Sequence, residues 1–302
     1  MAQQYRQKIN CVIDHVSQDP SRPYSLEDLA CLCHTSKYHF HRVFKAITGE
    51  TVNQLCTRLR LEKAAGRLIY NKKVSITEIA LDYGFSSSAN FSKAFQNHYG
   101  FSPTQYRNSK VRHSKALQPK NSNIGKAVLT DNSDNGASLI TPSQIFIDNK
   151  PARYRLAYIR NKGLYKPDDI TEQFGLITSW AANKQILEPN SPLILVNWSD
   201  TFIAQQDNWT YDVAVVVRDN CQGENDILIQ TLENQCVVCA SCWIKPSDFT
   251  TSLQLCWDYL LGNWLADSEY QPAHKPSYEI YGRLNRQGEQ SVILVLPIEP
   301  IL

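Results

Sequence analysis

Two runs of small polar and basic residues have the types and spacing to make hydrogen bonds to nucleic acid. Arginine can form a bidentate pair with guanine, while lysine and serine often bind phosphate oxygens. A helix that carries such side chains outward and apolar ones inward suits the major groove of DNA. The first run contains Ser36, Lys37, Tyr38, His41, Arg42 and Lys45, and the second contains Ser87, Ser88, Asn90 and Lys93. We expect both runs to face DNA.

The second run follows a helix start and a tight turn. Ser75 has Glu78 three residues later, which is the pattern of a capping box at the beginning of a helix. Gly84 then interrupts the helical spacing, because glycine readily takes the left-handed conformation that ends a helix. Phe91 and Phe95 give the next helix one apolar face. The pattern predicts a helix-turn-helix unit.

This unit has a second copy earlier in the chain. Residues 25–30 align with residues 75–80 at an offset of 50, and residues 40–49 align with residues 91–100 at an offset of 51. The later copy therefore has one additional residue in its turn. Matching apolar and basic positions in both copies indicate a repeated structural unit.

A long helix is predicted between the two units, at residues 51–70, and a shorter one at residues 10–17. About twenty helical residues span roughly 30 Å, while one turn of B-DNA spans about 34 Å. The connector could therefore set the two recognition helices in successive major grooves on one side of the duplex. We expect a monomer to read two short half-elements without needing a dimer.

Charge is distributed unevenly along the 302 residues. Residues 1–126 hold 19 Lys and Arg against 8 Asp and Glu, a net charge of +11. Residues 127–302 hold 12 against 21, a net charge of −9. The basic half favours a polyanionic partner, and the acidic remainder argues against a second nucleic-acid surface.

The amino-terminal segment and the cysteine content predict a cytoplasmic protein. The segment lacks the basic and unbroken apolar regions of a signal peptide. No apolar run in the sequence reaches the length of a membrane span, so no membrane partner is expected. Nine cysteines, an odd number, are expected to be reduced thiols.

Three of these cysteines, Cys236, Cys239 and Cys242, have a spacing that metal sites use. They lie in an apolar run with the alternation of a strand, which sends Cys239 to the face opposite the other two. A tetrahedral zinc site would also need further ligands nearby. We therefore predict a buried strand without a metal. No nucleophile–base pair is evident in the sequence, so no catalytic residue and no cofactor are predicted either.

The first third of the chain resembles a known family of regulators. Residues 5–108 resemble the DNA-binding domain of AraC/XylS-type transcriptional regulators, closest to the MarA, SoxS and Rob group. The matching stretches are SLEDLACLCHTSKYHFHRVFKAITG, RLRLEKAAGRLI, SITEIALDYGFSS and FSKAFQNHYGFSPTQYR. The resemblance implies a transcriptional activator that binds double-stranded promoter DNA and RNA polymerase. It also implies contacts to bases or backbone from Tyr38, His41, Arg42, Ser88, Asn90 and Lys93.

Side-chain chemistry separates base reading from phosphate binding. Arg42 is expected to read guanine, with a phosphate contact as the alternative. Tyr38 could pack on a thymine methyl group or sugar, or instead on another helix. Lys93 lacks the planar fork of arginine, which favours a phosphate. Contacts to the backbone are also expected for Ser36, Lys37 and Lys45.

The remainder alternates strands and helices beyond a predicted linker at residues 111–141. The predicted strands lie near residues 153–159, 192–198, 209–217, 227–232, 236–244, 277–284 and 292–298, with helices at 169–185 and 247–265. The order forms two β-α-β-β halves. Such halves predict a pair of sheets covered by helices, with a cleft between them.

This part resembles a GyrI-like effector-binding domain in the stretches RNKGLY, WTYDVAVVV, PSYEIYGRL and SVILVLPI. The resemblance implies that a small molecule, often an amphipathic cation, binds in the cleft, which a glutamate in an E-x-Y setting closes. Glu279 has that setting, and a carboxylate among aromatic rings is costly unless a cation or a donor meets it. A structural acid on an exposed strand edge is the alternative. Aromatic surface is expected from Tyr165, Trp198, Trp243 and Tyr281, with core packing as the alternative for the tryptophans.

These patterns predict an α+β multidomain protein. Residues 1–110 are expected to form an all-α DNA-binding domain with helix-turn-helix units at about 25–48 and 75–99, and residues 142–302 an α+β effector-binding domain. We expect a sequence-specific transcriptional activator tuned by a small ligand. Two alternatives stay open: a second domain that acts as a hydrolase or sequesters drugs, and a nucleoid or origin-binding protein of low specificity.

Overall fold

A computed structural model describes residues 2–108 and 144–301, apart from residues 72, 151, 188–189, 200–202, 205, 220, 235 and 274. The predicted linker at residues 111–141 lies outside the described residues. Within the described part of the chain, no helix is long and apolar enough to cross a membrane. A helical first domain and a mixed second domain confirm the predicted α+β class.

The first domain is built from α-helices. They are α1 (Ala2–Gln18), α2 (Leu26–Leu32), α3 (Lys37–Thr48), α4 (Val52–Tyr70), α5 (Ile76–Asp82), α6 (Ser88–Tyr99) and α7 (Pro103–Asn108). The prediction for α1 was too short, because it began at residue 10. Ile9, Val12 and Val16 are all buried and share one helical face, which extends the helix toward its amino terminus.

The predicted repeat is confirmed by matching helix lengths and caps. The helices α2 and α5 each have 7 residues, and α3 and α6 each have 12. Ser25 caps α2 and Ser75 caps α5 with its side chain. Both recognition helices end at a left-handed glycine, Gly49 with φ of 81° and Gly100 with φ of 80°.

The turn of the second unit contacts the segment before the first. Gly84 has a φ of +74°, and a Cβ atom at this position would lie 2.5 Å from the carbonyl oxygen of Ser21. Arg60 of α4 donates from Nη2 to the same carbonyl at 3.2 Å. Only glycine satisfies both the backbone conformation and the close approach at residue 84.

The connector α4 belongs to the cores of both units. Leu55 and Leu59 pack in the core of the first unit, whereas Leu61 and Leu68 pack in the core of the second. Since one continuous helix supplies apolar residues to both cores, the orientation of the two units is fixed through α4.

The second domain contains one antiparallel sheet with helices on one face. The strands are β1 (Ile145–Asp148), β2 (Ala152–Lys162), β3 (Leu193–Asn197), β4 (Thr210–Val216), β5 (Leu228–Asn234), β6 (Val237–Ile244), β7 (Tyr270–Pro272), β8 (Ser277–Leu284) and β9 (Gln290–Pro300). The helices are α8 (Pro167–Asn183), α9 (Phe249–Tyr259) and α10 (Leu265–Asp267), the last two joined by a π-helical turn at Leu260–Trp264.

The predicted pair of sheets is corrected to a single sheet. The strand order is β1-β6-β9-β8-β3-β4-β2-β5, with β7 paired to β9. The two β-α-β-β halves meet where β3 pairs with β8. In this pairing Leu195 of β3 lies opposite Glu279 of β8. This pairing continues the hydrogen-bond ladder from one half to the other, so the halves share a sheet.

The two faces of the sheet pack differently. Cys242 and Cys256 lie in the core beneath α9, while Cys239 lies in the core on the opposite face. The predicted alternation of Cys239 and Cys242 is therefore confirmed. Among the described residues there is no cluster of His, Cys, Asp or Glu that could hold a metal ion.

Polar contacts join the two domains at both ends of their interface. At one end, Arg160 of β2 forms ion pairs with Asp14 of α1 and with Asp212, the latter at 2.8 Å. At the other end, Asn71, which follows α4, donates to Gln271 of β7 at 3.3 Å. The amino-terminal domain is thus held against the sheet by α1 and α4.

Candidate nucleic-acid interface and effector cleft

The outer face of α3 is open to solvent. Phe40 and Phe44 are buried and anchor the helix to the first core. The residues that alternate with them along the helix are exposed, which is the arrangement expected of a recognition helix. The exposed residues among those predicted to bind DNA are Ser36, Lys37, Tyr38, His41, Arg42 and Lys45. Tyr38 is 86% exposed, so the alternative of helix packing does not describe it.

Two residues at the beginning of α3 already have protein partners. Ser36 caps the helix by accepting a hydrogen bond from the backbone N–H of His39 at 3.4 Å. Lys37 forms an exposed ion pair with Glu27 of α2, which lowers the pKa of the Glu27 carboxyl. A phosphate would have to compete with Glu27 for Lys37. Arg42 and Lys45 lie further along the open face.

The outer face of α6 exposes fewer of the predicted DNA-binding residues than that of α3. Ser87 caps the helix by accepting from the backbone N–H of Asn90 at 3.2 Å, and the Asn90 side chain donates to Ser86 at 2.8 Å. Ser87 and Ser88 are half-buried, while Asn90 and Lys93 are exposed. The structure therefore brings Asn90 and Lys93 to the surface and partly covers the two serines.

Glu279 lies at the base of a cleft between the sheet and α9. It is 4% exposed and accepts from the Trp257 indole Nε1 at 2.9 Å and from the Tyr281 hydroxyl at 2.6 Å. Asn197 of β3 also donates to it, at 3.5 Å, and accepts in turn from the Tyr165 hydroxyl at 2.8 Å. The predicted alternative of an exposed edge position is wrong, because β8 is an inner strand.

Burial raises the pKa of the Glu279 carboxyl, because the charged form has lost water. The hydrogen bonds from Tyr281, Trp257 and Asn197 act in the opposite direction by stabilising the carboxylate. Burial and the neighbouring carboxylate likewise raise the pKa of the Tyr281 hydroxyl. A cation placed beside Glu279 would therefore stabilise a charge that burial disfavours.

The ring of Tyr281 packs between the two long helices of the second domain. It stacks on Phe249 of α9 with centroids 6.1 Å apart, and meets Phe174 of α8 edge-on at 5.7 Å. Its hydroxyl is thereby held toward Glu279. Tyr281 thus positions the carboxylate in this structure.

A cavity of about 240 Å³ opens above Glu279. Of the predicted effector-binding residues, Tyr165, Trp198 and Glu279 line it. Trp198 also donates to Asp212 at 2.6 Å and lies over Arg160 at 5.1 Å, so it supports the interdomain ion pair as well. The structure thus brings three of the five predicted residues to one cavity. A fourth, Tyr281, is hydrogen-bonded to Glu279.

The prediction for Trp243 is corrected. Its neighbour Cys242 packs beneath α9, and strand alternation sends Trp243 to the opposite face, where it is 47% exposed. Trp257 of α9 takes its place, since it lines the cavity and bonds Glu279 directly. Only the packing of α9 on the sheet identifies Trp257, whereas alternation with the buried Cys242 could have excluded Trp243.

Comparison with known families matches both domains. A family model described as a helix-turn-helix domain matches residues 29–109, and one described as a GyrI-like small molecule binding domain matches residues 143–298, half of the chain. The chain belongs to the GyrI-like family. Its GyrI-like domain follows an AraC-type helix-turn-helix domain, as both resemblances implied.

Curated relatives match the helix-turn-helix domain. An uncharacterized HTH-type transcriptional regulator of Haemophilus influenzae is 35% identical over 102 residues, which are 34% of this chain and 34% of that protein. The transcriptional regulator Rob of Salmonella typhimurium is 33% identical over 98 residues, 32% of this chain and 34% of that protein. The chain spans about a third of the length of these relatives.

Among solved structures, the C-terminal domain of EcmrR is similar to part of this chain. It is 19% identical, and the match covers 52% of this chain and 98% of that chain with a TM-score of 0.42.

Proposed function

We propose that this chain is a sequence-specific regulator of transcription, acting as an activator, whose GyrI-like domain binds a small effector. The observation that carries the proposal is the pair of solvent-facing recognition helices, α3 and α6, fixed to opposite ends of α4. A matched pair of recognition helices on one rigid connector is suited to reading two half-elements of DNA. The Haemophilus and Salmonella relatives, both named as transcriptional regulators, support this proposal.

The length of α4 supports binding along one side of a duplex. Its 19 residues span about 28 Å at 1.5 Å per residue. Successive major grooves lie about 34 Å apart. The recognition helices project from the ends of α4, so a monomer can place α3 and α6 in neighbouring grooves. Arg42 is the residue proposed to read guanine, and Lys45 and Lys93 are proposed to bind phosphates.

The cleft supports an effector that carries positive charge and apolar surface. Glu279 supplies a buried carboxylate, and Tyr165 and Trp257 supply aromatic walls. An aromatic cation could replace the lost hydration of Glu279 while burying its own apolar surface. The effector class proposed is therefore the amphipathic cation.

RNA polymerase at a promoter is the proposed second partner of the DNA-bound protein, and the cytoplasm is the proposed location. Both follow from the proposed activity, since an activator works where the chromosome is transcribed.

Selection of bound sites from a random duplex library tests the proposed DNA binding. The full chain should enrich an asymmetric site with two short elements about one helical turn apart. The enriched site, placed upstream of a promoter, should raise transcript yield from purified RNA polymerase. Enrichment of no sequence contradicts site-specific binding, and an enriched site that lowers yield contradicts activation.

A further inference from the structure

One face of α4 lines the effector cavity, although α4 belongs to the DNA-binding domain. Leu59, Lys63, Gly66 and Tyr70 recur at helical spacing on this face, and all line the same cavity as Glu279. The neighbouring face of α4 carries the residues buried in the core of the second helix-turn-helix unit. The effector cavity and the core that supports α6 therefore lie on adjacent faces of α4.

Tyr70 touches hydrophobic clusters in both domains. Its ring packs against the core of the second helix-turn-helix unit and against the core beneath α9 in the GyrI-like domain. The next residue, Asn71, is 3% exposed and donates to Gln271 at 3.3 Å. The carboxyl end of α4 is thus the place where the wall of the cavity and the second unit are joined.

The basic side chains of this face are directed toward their own domain. Lys63 donates to the carbonyl oxygen of Ser17 at 3.1 Å, and burial lowers its pKa to about 8. Arg67 lies 3.8 Å from the carboxylate of Asp82. Because Lys63 and Arg67 are bound to α1 and α5, they do not neutralise Glu279. The Glu279 carboxylate can therefore bind a cation that enters the cavity.

The interface around the cavity is loosely filled. A second cavity, of about 380 Å³, lies between α1, the end of α3 and the end of β2, and both domains line it. Ion pairs and amide hydrogen bonds hold the interface at its ends. An interface with solvent-open clefts and polar contacts allows the domains to move apart at less cost than a close-packed core.

We propose that the effector is bound between the domains, with α4 as a wall of its site and Tyr70 in contact with it. The proposal rests on the effector cleft of the proposed function and deepens it. An effector held by both Glu279 and Tyr70 stabilises the docked arrangement of the domains. That arrangement leaves Arg42 and Lys93 exposed, so DNA and effector can bind to it at the same time.

The test is calorimetric titration of the full chain with tetraphenylphosphonium, an aromatic cation, and with tetraphenylborate, an anion of the same shape. Tyr70→Leu should lower the affinity for the cation about fivefold, because the contact between the cation and the Tyr70 ring is lost. Tyr24→Leu is the matched control, because Tyr24 is a half-buried tyrosine in the first core, away from the cavity. It should leave the affinity unchanged.

Hydrogen exchange on the wild-type chain keeps the test valid if Tyr70→Leu does not fold. Tetraphenylphosphonium should slow exchange of the amides in residues 60–71 as well as in α9.

Two results would overturn the proposal in different ways. If Glu279→Gln lowers cation affinity while Tyr70→Leu does not, and residues 60–71 gain no protection, then the cleft of the GyrI-like domain holds the cation alone. The proposed function survives that result. Absence of cation binding to the wild-type chain, or equal binding of tetraphenylborate, removes both the shared site and the effector class, whereas failure of the proposed DNA binding would appear separately in the duplex selection.

Discussion

The indole N–H of Trp257, in α9, donates to the carboxylate of Glu279, in β8, at 2.9 Å. The bond ties the helix that covers the cleft to the charged group at its base. The hydrogen bond stabilises the charged form of Glu279, and a hydrogen bond to a charged group contributes about 1.5–3 kcal/mol. Trp257→Phe should therefore make the carboxylate less stable and weaken tetraphenylphosphonium binding about tenfold. Trp264→Phe is the control, since Trp264 stacks on Tyr270 instead. Equal affinities of the two variants, measured by calorimetry, would show that the bond does not prepare the carboxylate for a cation.

Cation binding should depend on pH through Glu279. Burial raises its pKa above the ordinary value of 4.5. Cation affinity should therefore rise with pH through the raised pKa, as the carboxylate forms. Lys63, also in the cavity wall, has a pKa lowered to about 8 and would act only in a higher range. Glu279→Gln should abolish the lower transition in titrations with tetraphenylphosphonium, and persistence of that transition would assign it to another group.

Stability should show the opposite dependence. Between pH 4.5 and the raised pKa, Glu279 binds more protons in the folded chain than in the unfolded chain. The stabilising contribution of Glu279 to the free energy of unfolding is fully present below pH 4.5 and is lost as the pH rises through the pKa of the folded chain. Denaturant unfolding of Glu279→Gln and wild type at several pH values measures it. The difference in free energy of unfolding between them should grow in favour of the variant as pH rises.

The ion pair of Asp14 with Arg160 should couple unfolding of the two domains. Asp14→Asn should lower the free energy of unfolding by about 1–3 kcal/mol, since Arg160 keeps its second partner, Asp212, at 2.8 Å. Calorimetric unfolding should then resolve into two transitions. Asp28→Asn, in the exposed first turn of α2, is the control. A single transition with unchanged midpoint in Asp14→Asn would show that the pair contributes little.

Alanine substitutions at two glycines distinguish the cost of backbone strain from the cost of a steric contact. Gly84→Ala should destabilise the chain by clearly more than about 1 kcal/mol, because φ is +74° and the new Cβ would meet the Ser21 carbonyl at 2.5 Å. Gly100→Ala has a similar φ of +80° and no atom within 4 Å of its Cβ, so only the backbone cost of about 1 kcal/mol is expected. Equal losses in urea unfolding would argue against a rigid contact between Gly84 and Ser21.

The helix-turn-helix domain could be predicted from sequence because its signals are local. Caps such as Ser75 with Glu78, and the left-handed glycines 84 and 100, act within a few residues of the helix ends. The alternation of Cys239 and Cys242 is local too. The first turns of α1 were missed because few apolar residues precede Ile9 in the sequence.

The architecture of the second domain depends on contacts that local patterns do not contain. The pairing of β3 with β8 joins residues more than 80 positions apart, such as Leu195 and Glu279, and so turns two predicted sheets into one. Strands β1 and β7 have only 4 and 3 residues, too few to show alternation. The prediction of Trp243 in the cleft rested on its aromatic side chain alone. Alternation along β6 puts Trp243 on the face opposite Cys242, away from α9. The wall supplied by α4 follows from docking of the domains.

Reading of the DNA sequence by the exposed recognition helices is tested by comparing a selected duplex with a scrambled one of equal composition across salt concentrations. Wild type should prefer the selected duplex by at least about a thousandfold. Arg42→Ala should lose about 1–3 kcal/mol of that preference, while Lys45→Ala should weaken both duplexes alike and reduce the salt slope by about one. Equal affinity of the wild-type chain for both duplexes would show that the recognition helices do not read the base sequence.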